Sequence, residues 1–201
     1  MFFYIVVVGV ISTAVYILTK LIFDLLLRGF TPFISSRPWV VDLLLEEIKF
    51  RKNTPVIYAL SCGRSGFFHA LEKKYPEAYL VGFETDVFPF LVAKIQNLIR
   101  RTKIRVRYSK IHHINFEKAD LVYNHLYPDK MVGLGKKMKF ECKSGTQVLS
   151  TGFNVKGLDL AKTILLPDGK GRWDFLSKNQ KMFQKTASKF KKEKKAFFYE
   201  I

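Results

Sequence analysis

The chain has 201 residues, of which 48% are hydrophobic and 15% aromatic, and this composition excludes a disordered or low-complexity protein. Its 34 Lys and Arg residues outnumber its 17 Asp and Glu residues, and the formal net charge of +17 favours anionic partners such as phosphate groups, lipid head groups or acidic proteins. Two cysteines are too few for a disulfide framework, and they lack the paired spacing of a zinc site.

The first predicted element is an apolar helix. Residues 2–19 carry no charge, and basic residues follow this run rather than precede it. A helix over residues 2–27 would span about 39 Å, which exceeds the roughly 30 Å hydrocarbon core of a bilayer. We therefore predict an uncleaved, single-pass transmembrane anchor over residues 1–28, with the C-terminal domain in the cytoplasm. The alternative is a long buried helix of the folded domain.

The rest of the chain, residues 29–201, alternates between helical and strand-like runs. Helices are predicted at about 38–48, 67–74, 87–99, 129–140 and, as a Lys-rich insert, 174–194; strands are predicted at 55–60, 78–84, 103–109, 119–126, 146–151, 160–167 and 196–201. Such alternation predicts one α/β domain with a mostly parallel sheet, and the last two strands suggest a terminal antiparallel pair.

One stretch has the composition of a nucleotide-binding turn. The apolar strand of VIYALSCGRSG, residues 56–66, runs into small residues and then a helix. Small residues let a ligand approach the backbone, and the helix N-terminus offers N–H groups. Glu84 ends the next strand, 21 residues after Gly63, where a carboxylate can accept hydrogen bonds from ribose hydroxyls. The alternatives are a simple tight turn and a solvated strand end.

These stretches, in this order, resemble a class I S-adenosylmethionine-dependent methyltransferase. More narrowly, they resemble the small membrane-anchored group related to mitochondrial protein-lysine methyltransferases of the ATP synthase c-subunit type. The resemblance covers about residues 31–158 and rests on TPFISSRPWVV, VIYALSCGRSG, LVGFETD, ADLVYNHLYP and FECKSGTQVLSTGFNVKG. It implies a Rossmann-like sheet, S-adenosylmethionine as cofactor and a protein lysine as methyl acceptor.

The resemblance also implies which residues form the cofactor site, namely Ala59, Ser61, Gly63, Ser65, Glu84 and Lys110. Several of these depart from the family pattern, which has acids at Ala59, at Arg64 and near Lys110, and glycine at Ser61. Serine fits the glycine position if φ stays negative, whereas alanine cannot contact the ammonium of the methionine moiety. Arg64 and Lys110, if they point inward, disfavour a cationic sulfonium ligand.

Candidate catalytic residues lie at the C-terminal end of the fourth strand, where the topology implied by the resemblance brings the transferred methyl group. Tyr123 and Asn124 are expected to orient the acceptor amine, and His125 to take a proton. The structural alternatives are a core tyrosine and a strand-end histidine. No acid or cysteine cluster joins the adjacent His112 and His113, so we assign no metal.

Two basic stretches bear on partners. Residues 100–110 hold six cations and no acid, and the Lys-rich helix at about 174–194 suits anionic lipid head groups. The alternatives are protection of a sheet edge and a packed helix with a solvated face. The sequence shows no zinc-finger, RNP or KH pattern, and with the predicted anchor we do not expect nucleic acid as a partner.

The sequence therefore supports two hypotheses. The first is a membrane-anchored methyltransferase that acts on a lysine of a protein, with a membrane protein as the candidate substrate. The second is a catalytically silent methyltransferase-fold module that binds anionic membrane or a membrane protein complex through its basic surface.

Overall fold

The computed structural model describes residues 2–23, 38–61, 66–166 and 195–201. Contacts divide the chain into two units, Met1–Phe33 and Ile34–Ile201.

The first unit contains helix α1, Phe2–Phe23. Its side chains that are described from Tyr4 to Thr19 are almost all exposed, and Thr13 Oγ1 donates a hydrogen bond to the Gly9 carbonyl at 2.8 Å. A helix needs about 20 consecutive, predominantly apolar residues to span a bilayer. Within the described part of the chain, no helix has the length and apolarity that a membrane crossing requires, so the predicted transmembrane helix is not confirmed. The end of the predicted anchor, from residue 24 to 28, lies outside the described residues.

The second unit is an α/β fold built on a seven-stranded sheet with the order β3-β2-β1-β4-β5-β7-β6. The strands are β1 Val56–Leu60, β2 Tyr79–Glu84, β3 Arg105–Tyr108, β4 Leu121–Asn124, β5 Gln147–Thr151, β6 Leu160–Leu165 and β7 Lys195–Glu200. β1 to β5 pair in parallel, and β7 pairs antiparallel with both β5 and β6. The predicted sheet, mostly parallel with an antiparallel end, is confirmed.

The α-helices of this unit are α2 Pro38–Glu47, α3 Gly66–Lys74, α4 Val87–Arg100 and α5 Leu134–Glu141. Two 3-10 turns, Ile111–His113 and Pro128–Met131, lie in the connections. The predicted helix over 129–140 is therefore wrong at its start, because Gly133 adopts φ +75° and separates the 3-10 turn from α5. The predicted Lys-rich helix at 174–194 lies outside the described residues.

The core has one cluster on each face of the sheet, as the alternation of side chains along strands requires. Ile57, Ala59 and Tyr123 contribute to the cluster that also contains side chains of α2 and α3. Leu60, Val81 and Val122, the intervening residues, contribute to the cluster that also contains side chains of α5. Because β1 to β5 run parallel, their carboxyl ends all lie at the same edge of the sheet.

An ionic cluster holds the opposite edge of the sheet. Asp120 Oδ2 accepts the Val56 N–H at 2.6 Å and lies 2.6 Å from Lys52 Nζ, while Oδ1 lies 2.6 Å from Lys143 Nζ. Burial would raise the pKa of this carboxyl, but the hydrogen bonds from Lys143, Lys52 and the Val56 N–H outweigh burial and lower it. Asp120 thus ties the starts of β1 and β4 together.

Candidate functional site

The carboxyl ends of β1, β2 and β4 meet at one edge of the sheet, which is where ligands bind in open α/β folds. Ser61 follows β1 directly, and its N–H donates to the Phe83 carbonyl of β2 at 2.9 Å. Glu84 is the last residue of β2, and Tyr123 lies near the end of β4. The structure therefore brings these three predicted site residues to one edge.

Glu84 is the most telling residue of this edge, because it is an acidic residue that is only 2% exposed. Its backbone carbonyl accepts the Ser109 N–H at 2.9 Å, which fixes the end of β2 against the segment after β3. A buried carboxylate is retained only where hydrogen-bond donors satisfy it. Its place beside the β1 turn fits a group that receives ribose hydroxyls.

Ser61 adopts φ +58°, in the left-handed region that favours glycine. The condition under which serine fits the glycine position, a negative φ, is therefore not met. The reason is that the chain turns sharply out of β1 directly after pairing with Phe83. Gly63, Arg64 and Ser65 lie outside the described residues.

Two of the residues at positions of expected acids differ in their surroundings. Ala59 is fully buried in the core cluster that contains Phe67 and Tyr123. Lys110 is exposed and directly precedes the 3-10 turn Ile111–His113. Solvent screens an exposed ammonium, so Lys110 raises the electrostatic potential at the site less than an inward-pointing lysine would.

At the ends of β4 and β5, a hydroxyl joins two of the candidate catalytic residues. Thr151 Oγ1 lies 2.6 Å from His125 Nδ1 and 3.4 Å from Tyr123 Oη. The Tyr123 ring also contacts Phe67, at 4.4 Å between ring centroids. No sequence motif singles out Thr151; its only signal is its position at the end of the strand that neighbours β4.

Asn124 belongs to the opposite face of the sheet and is fully buried. Its Nδ2 donates to Ser150 Oγ at 3.1 Å and lies 2.8 Å from Met131 Sδ, while its Oδ1 accepts the Leu126 N–H at 3.0 Å. The structure therefore does not bring the Asn124 amide together with Tyr123 and His125.

An ion pair crosses the site edge. Lys130 Nζ, which follows β4, lies 2.9 Å from Asp86 Oδ2, which follows β2. Because β1 lies between β2 and β4, this pair spans the carboxyl end of β1. The hydrogen bond from Lys130 lowers the pKa of Asp86. The only sequence signal for this contact is the acid two residues after Glu84.

Metal ligands do not cluster in the described part of the chain: no group of three or more His, Cys, Asp or Glu residues could hold an ion there. His112 and His113 are exposed, and their ring centroids lie 4.2 Å apart. Burial, followed by the charge of Glu141, raises the pKa of the Cys142 thiol to about 11, so this thiol stays protonated at neutral pH.

Three solved structures that align with this chain are methyltransferases. An RNA methyltransferase from Salinibacter ruber, in complex with S-adenosyl-L-homocysteine, aligns with a TM-score of 0.60 and 18% identity over 84% of this chain and 94% of that protein. A geranyl diphosphate C-methyltransferase from Streptomyces coelicolor A3(2) aligns with a TM-score of 0.49 and 11% identity over 72% of this chain and 52% of that protein. A tRNA methyltransferase from B. subtilis aligns with a TM-score of 0.48 and 14% identity over 64% of this chain and 60% of that protein.

The sequence itself gives no closer relationship, since no protein-family model matches it and no curated protein is significantly similar to it. The membrane-anchored lysine methyltransferase group of the resemblance is not among the structures just described. From its strand order and this structural likeness, the chain has the fold of the class I S-adenosylmethionine-dependent methyltransferases.

Proposed function

We propose that the chain is an S-adenosylmethionine-dependent methyltransferase whose cofactor site lies at the carboxyl ends of β1, β2 and β4. The observation that carries this proposal is the buried carboxylate of Glu84 beside the Ser61 turn. The fold supports it as well, because the Salinibacter ruber methyltransferase binds S-adenosyl-L-homocysteine.

The residues at this edge fit the ribose end of the cofactor. Two vicinal hydroxyls donate well to one carboxylate, and Glu84 supplies that carboxylate at a strand end next to a turn with small residues. The left-handed Ser61 turns the chain sharply at the point where the backbone meets the ligand. The side chain of Ala59, by contrast, has no polar atom. Contacts to the methionine ammonium therefore have to come from backbone carbonyls or other side chains.

The acceptor we propose is a protein lysine amine, as the resemblance implies. S-adenosylmethionine, when bound, supplies an activated methyl group. The chain then has to hold the amine in line and remove its proton. His125 is the candidate base: in the tautomer whose Nδ1–H donates to Thr151 Oγ1, the lone pair of Nε2 accepts the proton. Tyr123 shares the Thr151 hydroxyl and lies on the same face of the sheet as His125.

A methyl-transfer assay with the full chain tests this proposal. The chain is incubated with tritiated-methyl S-adenosylmethionine and a protein extract, and the labelled amino acid is identified after hydrolysis. We expect N-methyl-lysine with the parent chain, and none with Glu84→Ala or His125→Ala; Glu77→Gln, an exposed acid before β2, is the matched control. Label in any other amino acid would contradict the lysine assignment.

A second candidate, the catalytically silent module, is favoured by the replacement of an expected acid by the fully buried Ala59. In this case the basic surface would bind anionic membrane or a membrane protein complex. A folded chain that neither transfers methyl groups nor binds S-adenosyl-L-homocysteine would favour this candidate over the enzyme.

A further inference from the structure

Among the described residues, an exposed border of the sheet on the face opposite to Glu84 lies at β3. β3 is the outermost strand, and Arg105 and Arg107 pair in register with Val81 and Phe83 of β2. Residues 109–120, all described, connect β3 to β4 with only the 3-10 turn Ile111–His113 and no α-helix. Val81 and Phe83 are buried, whereas both arginines are exposed.

Tyrosines lie beside these arginines. Tyr79 is two residues before Val81 on the same face, and 38% of its surface is exposed. The Arg105 guanidinium donates to Tyr79 Oη at 2.8 Å, and its Cζ lies 4.7 Å from the centre of the ring. We call Tyr58, Tyr79, Arg105 and Arg107 the Arg–Tyr face.

Tyr58 closes this face on the β1 side. It pairs in register with Val81, and its ring meets Phe83 edge-on with centroids 5.2 Å apart. Burial raises the pKa of the Tyr58 phenol, and the charge of Arg107 partly offsets that rise.

The charge of this edge is not neutralised within the described residues. None of the six cations between residues 100 and 110 forms an ion pair with a carboxylate of the described chain. Charges on an edge strand also prevent aggregation, but that role needs no exposed aromatic ring under a guanidinium. A guanidinium over one face of a ring offers a phosphate contact, and the ring's other face is the surface on which a base can stack.

We propose that the Arg–Tyr face binds single-stranded nucleic acid, with Arg105 and Arg107 on phosphates and Tyr79 stacked on a base. This binding is independent of the proposed cofactor site, which belongs to the other face. It departs from the expectation that nucleic acid is not a partner, which rested in part on a transmembrane anchor that is not confirmed. An acidic peptide would pair with the arginine charges, but its acidic side chains have no aromatic group to stack on the Tyr79 ring. The face joins residues from three strands, so no linear motif of the sequence reveals it.

Fluorescence anisotropy tests the proposal with the full chain and a fluorescein-labelled 12-nucleotide oligouridylate, without cofactor. We expect a Kd of about 1–100 µM near 150 mM salt. Arg105→Gln with Arg107→Gln should weaken binding at least tenfold and reduce the slope of log K against log salt by about 1.4, since each phosphate contact on a single strand contributes about 0.7. The matched control is Lys118→Gln with Lys156→Gln, which removes equal charge from exposed positions off the face and should change Kd less than twofold.

Tyr79 variants separate stacking from charge. Tyr79→Leu should weaken binding about fivefold or more with no change in salt slope, and Tyr79→Phe, which keeps the ring, should restore it. Thermal unfolding confirms that each variant is folded. The proposal is overturned if the control weakens binding as much as the arginine pair, or if Tyr79→Leu binds like the parent. Equal competition by a 12-residue polyglutamate or by phosphatidylserine vesicles would also overturn it, in favour of an acidic protein or a lipid surface.

Discussion

The Thr151 hydroxyl lies 2.6 Å from Nδ1 of His125, and it links the ends of two neighbouring parallel strands. The same hydroxyl is within 3.4 Å of the Tyr123 phenol. One small, buried side chain therefore sets the ring orientation of the candidate base and the position of the candidate tyrosine.

Replacing Thr151 by valine keeps the shape and removes this hydroxyl. We expect a loss of about 1–2 kcal/mol in the free energy of unfolding, because a half-buried ring nitrogen and a buried phenol lose a partner. The ring ¹⁵N shifts of His125 should also change from one dominant tautomer to a mixture. Thr151→Ser should preserve the parent spectrum. Thr163→Val, at an exposed position of β6, is the matched control, and an unchanged His125 spectrum in Thr151→Val would refute the link.

Asp120 should make stability depend on pH in the acid range. Its pKa is lower in the folded chain than its ordinary value of 3.8, so the unfolded chain binds more protons as the pH falls. The stabilisation is then complete above about pH 4 and is lost as pH falls through the folded-state pKa. Asp120→Asn should cost about 1–2 kcal/mol at pH 7, because its three donors then face a neutral amide.

The measurement for this prediction is urea unfolding of the parent and Asp120→Asn between pH 7 and pH 2.5. The difference between the two should shrink as the pH falls below 4. Glu77→Gln removes an exposed carboxylate and should show no such trend. A constant difference across the range would mean that the carboxylate charge does not matter.

Ser61→Gly should raise the free energy of unfolding by about 0.5–1 kcal/mol. A non-glycine residue in the left-handed conformation is strained by about 1–2 kcal/mol, and the larger conformational entropy that glycine loses on folding offsets part of the relief. Ser144→Gly, in a turn without positive φ, should instead destabilise it. Urea unfolding of the two variants decides the matter: a loss of stability in both would show that Ser61 is not strained.

Gly135 lets α5 approach the loop after β5. An added Cβ would meet the Lys156 carbonyl oxygen, and would lie 3.3 Å from Val155 Cγ1. This loop cannot move cheaply, because the Val155 N–H donates to Tyr199 Oη at 2.8 Å. Gly135→Ala should cost about 1–3 kcal/mol, although alanine is otherwise the better helix former. Lys136→Ala, at the next exposed position of α5, should have little effect in the same thermal unfolding experiment.

The fold could be predicted from the sequence where local patterns decide it. Apolar runs predicted the strands. The small-residue turn after β1 and the acid at the end of β2 predicted that the candidate site lies at the carboxyl ends of these strands. The contact of Thr151 with His125 could not be predicted, because it depends on which strand becomes the neighbour of β4. The same holds for Asp86 and Lys130, which lie 44 residues apart in the chain.

Two other differences between the prediction and the structure, at Ser61 and Asn124, have local causes. Serine itself favours negative φ, so the residue type at position 61 does not predict its positive φ; the only sign is the glycine that the family pattern has at this position. Asn124 was predicted beside Tyr123 and His125, but consecutive strand residues point to opposite faces, so its amide is used within the core.

The central claim is that Glu84 marks a cofactor site, and calorimetric titration of the full chain with S-adenosyl-L-homocysteine tests it most directly. We predict micromolar binding by the parent and by Glu77→Gln, and an affinity at least tenfold lower for Glu84→Gln, because hydrogen bonds to a charged group are worth about 1.5–3 kcal/mol. No binding up to millimolar ligand by the folded parent, or an unchanged affinity in Glu84→Gln, would contradict the account.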